Sequence, residues 1–121
     1  ISMFGNTVNL TALIDTGNTL TDPLTGAMVI VANLQDLKPL LGASVTERVR
    51  RYGAIEAFEE LGSARYRLIP YRTVGSDCSF LLAFKPDSVN LAGKEIRGAL
   101  VAMSPTPVSD GSGYNALAGV S

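Results

Sequence analysis

Residues 12–20 read Ala12-Leu13-Ile14-Asp15-Thr16-Gly17-Asn18-Thr19-Leu20, and the change of character inside them governs the reading of the whole chain. A short apolar, strand-forming run stops at a carboxylate that opens a turn. An aspartate is rarely buried without partners. Gly17 admits backbone conformations closed to other residues and lets a second segment approach closely. The Thr16 hydroxyl can bond locally or across an interface. Taken alone, Asp-Thr-Gly between two strands reads as an Asx-type turn, so the flanking residues must carry any further claim.

Upstream, Ser2 to Ile14 is strand-rich, with Val8, Leu10 and Ala12 on one side and Thr7, Asn9 and Thr11 on the other. Gly5-Asn6 predicts a turn, giving a hairpin that feeds the Asp15 loop. Downstream, Asp22 to Gly26 is a second turn. The continuous apolar run Ala27 to Ala32 predicts a central strand buried on both faces. The Asp15 loop is thereby expected between two strands that pair around it.

The period then changes. Asn33 is expected to cap a short helix ending near Leu41, with Gly42 as terminator, and Ser44-Val45-Thr46-Glu47 reads as a capping box. Val45, Val49, Tyr52, Ile55, Phe58 and Leu61 recur at helical spacing, with Gly53 as a bend and Gly62 as the end. Residues 33–61 thus read as a helical insert, an excursion on the side of a β core. Strand character returns over residues 64–84 around Gly75-Ser76-Asp77, a hairpin suited to form a flap, with Pro70 placing its first strand at an edge. A turn at Pro86-Asp87 and a small pairing of Ser88–Leu91 with Glu95–Arg97 follow. Ala99 to Met103 is the last expected strand, and a short final helix is expected from Tyr114. Strand-like runs outnumber helical ones, so the fold expected is mainly β.

With 121 residues the chain is read as one domain, residues 1–121, and its 46% apolar content argues against disorder. Ten basic against eleven acidic residues leave a formal charge of −1, which gives no pull toward nucleic acid. Arg48, Arg50 and Arg51 read as the solvated face of a helix. No apolar stretch reaches the roughly 20 residues that span a bilayer. The chain starts at Ile1 without an initiator Met and so reads as part of a longer protein. One cysteine, Cys78, allows no internal disulfide and suits a reducing compartment.

The absence of histidine removes Ser-His-Asp and Cys-His catalysis and imidazole-based zinc sites. Gly75, Gly93 and Gly98 are isolated, so no phosphate loop is present. Neither metal nor cofactor is expected. Carboxylates, hydroxyls, lysine and arginine remain as the chemical vocabulary. Asp-Thr-Gly occurs once, and Asp22, Asp36, Glu47, Asp77, Asp87 and Asp110 all sit in turn, loop or capping contexts. A second Asp15 from an identical chain across a two-fold axis would complete a pair.

Leu13 to Pro23 (L-I-D-T-G-N-T-L-T-D-P), followed by Leu24-Thr25-Gly26, resembles the soluble domain of the sporulation sigma-factor processing peptidases of spore-forming bacteria. R-L-I-P-Y-R-T-V-G at Arg67–Gly75, L-L-A-F-K-P-D-S-V at Leu81–Val89 and Tyr114-Asn115-Ala116-Leu117 fit the same family in the same order, while Ala118–Ser121 departs from its usual ending. The resemblance implies a retroviral-type aspartic peptidase half-barrel protomer, with the helical insert as a departure from the viral type. It implies Asp15 as the catalytic acid, Thr16 as the hydroxyl that buttresses a dyad and Gly17 as the backbone beneath it. It also implies a homodimer, a sigma-factor precursor as substrate, and a secreted or membrane activator. An N-terminal membrane region outside this sequence would hold the domain facing the mother-cell cytoplasm. Two alternatives stand beside this reading: a non-catalytic dimerisation or peptide-binding module of the same fold, and an unrelated enzyme using a lone aspartate as nucleophile.

Overall fold

The structure, a computed structural model, describes residues 1–3, 5–14, 20–62, 65–71, 79–91, 93–109, 111 and 113–118. A small hairpin opens the chain: β1 (Ser2–Met3) pairs antiparallel with β2 (Asn6–Thr7), turning at Gly5. The main sheet is built from β3 (Ala12–Ile14), β4 (Val29–Asn33), β5 (Tyr66–Tyr71), β6 (Ser79–Phe84), β9 (Leu100–Ser104) and β10 (Ala116–Ala118). Its spatial order is β3-β10-β4-β9-β6-β5. β7 (Asn90–Leu91) and β8 (Lys94–Glu95) form a separate two-stranded hairpin.

This sheet is mixed and open. β3 pairs parallel with β10, β4 parallel with β9, and the other neighbours are antiparallel. β3 and β5 are its two edges and do not meet. A mainly β, retroviral-type half-barrel is therefore not the fold; the chain is a mixed α/β domain. The reason lies in the segment read as a side excursion. A 3-10 turn (Leu34–Leu37), α1 (Lys38–Leu41), α2 (Ala43–Tyr52) and α3 (Ala54–Leu61) form a layer over one sheet face. Leu34, Leu37, Leu40, Val49 and Ala57 share one core with Ile30, Ala32, Leu82, Phe84, Val101 and Met103. A face covered by helices does not have to curl on itself to leave water.

Register shows the two faces. Ile30 lies opposite Val101 and Ala32 opposite Met103, toward the helices, while Val29, Ile69, Ala83, Leu100 and Ala102 form a smaller cluster on the other face. β4 is central, as its unbroken apolar run predicts.

Glycines set the helix limits. Gly42, Gly53 and Gly62 have φ of 88°, 87° and 82°, and each donates its N–H to a carbonyl four residues back. Gly53 does more than bend a helix: with ψ at 175° it ends α2 and starts α3. The apolar stripe predicted through it is consequently broken. Tyr52 and Ile55 are about half exposed, and Ala57 is buried instead. Neither predicted side-chain cap forms. Ser44 lies inside α2, and Asn33 Oδ1 accepts from the N–H of Val108 at 2.8 Å.

The expected final helix is a strand. β10 inserts between β3 and β4, so those two strands do not pair with each other. Ala116 and Ala118 are buried, small enough for a strand packed under the helical layer.

Candidate active site

Asp15, Thr16 and Gly17 lie outside the described residues, together with 18 and 19. What the structure provides is the frame on either side of them. The chain enters along β3, whose register with β10 sets Ala12 opposite Ala116, Leu13 opposite Leu117 and Ile14 opposite Ala118. Asn115 fixes that frame. Its Oδ1 accepts the Thr11 N–H at 2.8 Å, its own N–H donates to Thr11 C=O at 2.9 Å, and its C=O accepts from Asn33 N–H at 3.0 Å. One residue therefore ties β3, β10 and β4 together where β10 enters the sheet.

The chain returns at Leu20, whose carbonyl accepts the Val29 N–H, and Thr21 bridges Met28. The turn beyond is closed by Asp22, only 2% exposed. Its backbone N–H donates to Ala27 C=O at 3.0 Å and its C=O accepts from Gly26 N–H at 2.8 Å. Its carboxylate accepts from the Leu24 N–H at 3.1 Å on Oδ1 and from the Thr25 hydroxyl at 2.9 Å on Oδ2. A buried acid so engaged is a turn-former.

Among the other described acids, Glu56, Glu59 and Glu95 are exposed and three more are paired. Glu47 pairs with Arg50, Glu60 with Arg48 across α2 and α3, and Asp87 with Arg65 at 2.7 Å. Among the described residues no three of histidine, cysteine, aspartate or glutamate come together. Asp77, Asp110 and Cys78 fall outside the described residues.

Of the hairpin expected over residues 64–84, β5 and β6 pair antiparallel from Tyr66–Phe84 to Tyr71–Ser79, and the tip on which a flap would depend, residues 72–78, lies outside the described residues. The strand pair is built into the sheet, because Leu82 to Phe84 also pair with β9. Pro70 lies on an edge strand, as expected. The Tyr66 phenol on β5 is pushed above its ordinary range by burial, partly offset by the nearby Arg65 guanidinium.

Sequence reasoning missed Asn115 as the residue that holds the frame. Its neighbours Ala116 and Leu117 suggest helix, and only the pairing of residues 104 apart reveals the role.

Fold and frame together define a class: a mixed α/β domain in which an edge strand ends one residue before the single Asp-Thr-Gly of the sequence. The chain belongs to the Peptidase_U4 family, described as sporulation factor SpoIIGA, whose model matches residues 1–120. It is 36% identical over 120 residues to the sporulation sigma-E factor-processing peptidase of Bacillus subtilis (strain 168), a match covering 92% of this chain and 39% of that protein. Identity to the protein of the same name from Priestia megaterium is 33% over 118 residues, 92% of this chain and 38% of that protein. A putative sporulation sigma factor-processing peptidase of Bacillus thuringiensis subsp. kurstaki is 39% identical over 87 residues, 69% of this chain and 54% of that protein. The chain thus spans about two-fifths of the length of the first two relatives. No solved structure matches it. Among the described residues no helix is long and apolar enough to cross a membrane.

Proposed function

We propose that this chain is the peptidase portion of a longer, membrane-anchored protein that removes the N-terminal pro-segment of a sporulation sigma-factor precursor, with the domain facing the mother-cell cytoplasm. Family membership and the names of its relatives support the substrate class. The chemistry is that of an aspartic endopeptidase. One observation carries it: β3 ends at Ile14, so the single Asp-Thr-Gly follows a sheet edge directly, while Asp22, the nearest described acid, is committed to its own turn.

Amide hydrolysis by carboxylates needs two of them sharing one proton, since two held a few ångströms apart do not both ionise. The ionised Asp15 takes a proton from water as the oxygen attacks the scissile carbonyl. Its protonated counterpart donates a hydrogen bond to the developing oxyanion, and a proton then passes to the leaving amine. The pair titrates as one unit. One chain offers one Asp15, so the counterpart is supplied by a second copy across a two-fold axis. Thr16 buttresses the pair from each side and Gly17 gives the backbone room beneath it. Anchoring in a membrane would raise the local concentration of protomers and favour this pairing.

The test is Asp15→Asn in the anchored protein. Asparagine keeps the shape and removes the base, so the variant pairs normally and leaves the precursor uncut. Normal processing by the Asp15→Asn homodimer ends the peptidase reading in favour of a dimerisation or peptide-binding module.

A further inference from the structure

The two edges of the main sheet are treated differently by the sequence. On β5, the Lys85 N–H donates to the Arg65 carbonyl at 2.8 Å, so Arg65 and alternate residues after it face β6. Tyr66, Leu68 and Pro70 therefore turn their backbone groups outward. The Tyr66 carbonyl is already taken by Arg67 Nη1 at 2.8 Å, and Pro70 has no N–H. A proline and a folded-back arginine are means by which proteins close an edge to other strands.

On β3 the same reasoning gives the opposite result. Thr11 turns both backbone groups toward β10, with its N–H on Asn115 Oδ1 and its C=O accepting from the N–H groups of Asn115 and Ala116. By alternation Leu13 also faces β10, and the N–H and C=O of Ala12 and Ile14 point away from the sheet. Among the described residues no strand pairs with that side. Leu13 is 43% and Ile14 50% exposed, and residues 1–14 include no charged side chain to keep a partner off. An open apolar edge is a liability that folds retain where something covers it.

A second copy matched along the whole of β3 does not suit this edge. Pairing β3 antiparallel with its own copy so that Ala12, Leu13 and Ile14 are all matched centres the two-fold on Leu13. The two Ile14 residues then sit roughly 7 Å apart along the strands, and the chains leave them in opposite directions. That separates the two Asp15 residues instead of joining them. The peptidase reading, on which this inference rests, requires the reverse. We propose that the free edge of β3 binds an extended, largely apolar segment of the sigma-factor precursor as an added strand, main chain to main chain at Ala12 and Ile14. The segment would lie against the side chains of Leu13 and Ile14 and run on toward Asp15.

Amide hydrogen exchange on the full anchored Asp15→Asn protein, with and without uncut precursor, reads this directly. The amides of Ala12 and Ile14 are expected to exchange freely alone and at least tenfold more slowly with precursor, while Leu13 is protected in both. With Asp15 retained, Leu13→Lys is expected to lower kcat/KM for precursor at least tenfold with an unchanged unfolding midpoint. Protection that grows with protein concentration in the absence of precursor overturns the inference, because a second copy then covers the edge. Cleavage by the unsubstituted protein with no protection at Ala12 or Ile14 also overturns it and leaves the peptidase reading intact. Protection without any cleavage by the unsubstituted protein upholds the edge and overturns the peptidase reading.

Discussion

Asp22 offers the sharpest separation of a structural acid from a catalytic one. Its carboxylate is buried and accepts from Leu24 N–H and the Thr25 hydroxyl. Asp22→Ala removes both bonds. Hydrogen bonds to a charged group contribute about 1.5–3 kcal/mol each when their donors stay dry. Leu24 and Thr25 are exposed, so their freed donors reach water and the loss falls toward the low end. A total on the order of 2–3 kcal/mol follows, or roughly 10 °C in Tm for a chain of this size. Asp22→Asn keeps an acceptor for Leu24 N–H, and the Thr25 hydroxyl can reverse to accept from the amide, so its cost is about 1 kcal/mol. Urea unfolding of the three proteins measures the series. An alanine variant within about 0.5 kcal/mol of the parent would refute the view that this carboxylate holds the turn. The asparagine variant is expected to keep most precursor cleavage. Loss of cleavage at unchanged stability would instead make Asp22 a participant in the chemistry.

Gly53→Ala puts a Cβ where nothing lies within 4 Å, so its cost is purely that of the backbone at φ 87° and ψ 175°. About 1–3 kcal/mol of lost stability is expected by denaturant titration. Asn115→Ala removes the acceptor for the Thr11 N–H; about 1 kcal/mol is expected, with faster amide exchange at Thr11 as the local sign. Because burial raises the Tyr66 phenol above 10.0, the folded state holds the neutral form longer than the unfolded chain does. Stability is therefore fully present below pH 10.0 and falls as pH rises from there through the folded-state value, and Tyr66→Phe should flatten that fall in alkaline unfolding curves.

Local signals in the sequence were legible where local physics decides. Gly42 and Gly62 end helices, Pro70 lies on an edge strand, and the unbroken apolar run before Asn33 is a central strand. Distant pairing decides the rest. Ala116-Leu117-Ala118 has helix-favouring residues, yet it is a strand because Thr11 to Ile14 and Val31 to Asn33 hold it from both sides. Asn33 looks like a cap, but its side chain is claimed by Val108. The stripe through Tyr52 and Ile55 assumes one helix, and the conformation of Gly53 makes two. The half-barrel expectation failed for a related reason: strand count does not reveal what covers a sheet, and here the helices of residues 34–61 cover it. At the candidate site, motif and resemblance singled out Asp15, Thr16 and Gly17, whereas the frame around them, and the contrast between its open and closed edges, required the structure.

In the proposed mechanism two Asp15 carboxylates share a proton across a two-fold axis. Their separation in a preparation that is anchored and actively cleaving precursor tests it most directly. Carboxylate oxygens about 3 Å apart are expected, as a shared proton demands. A separation above about 10 Å in that active state, far beyond any shared proton, would contradict it.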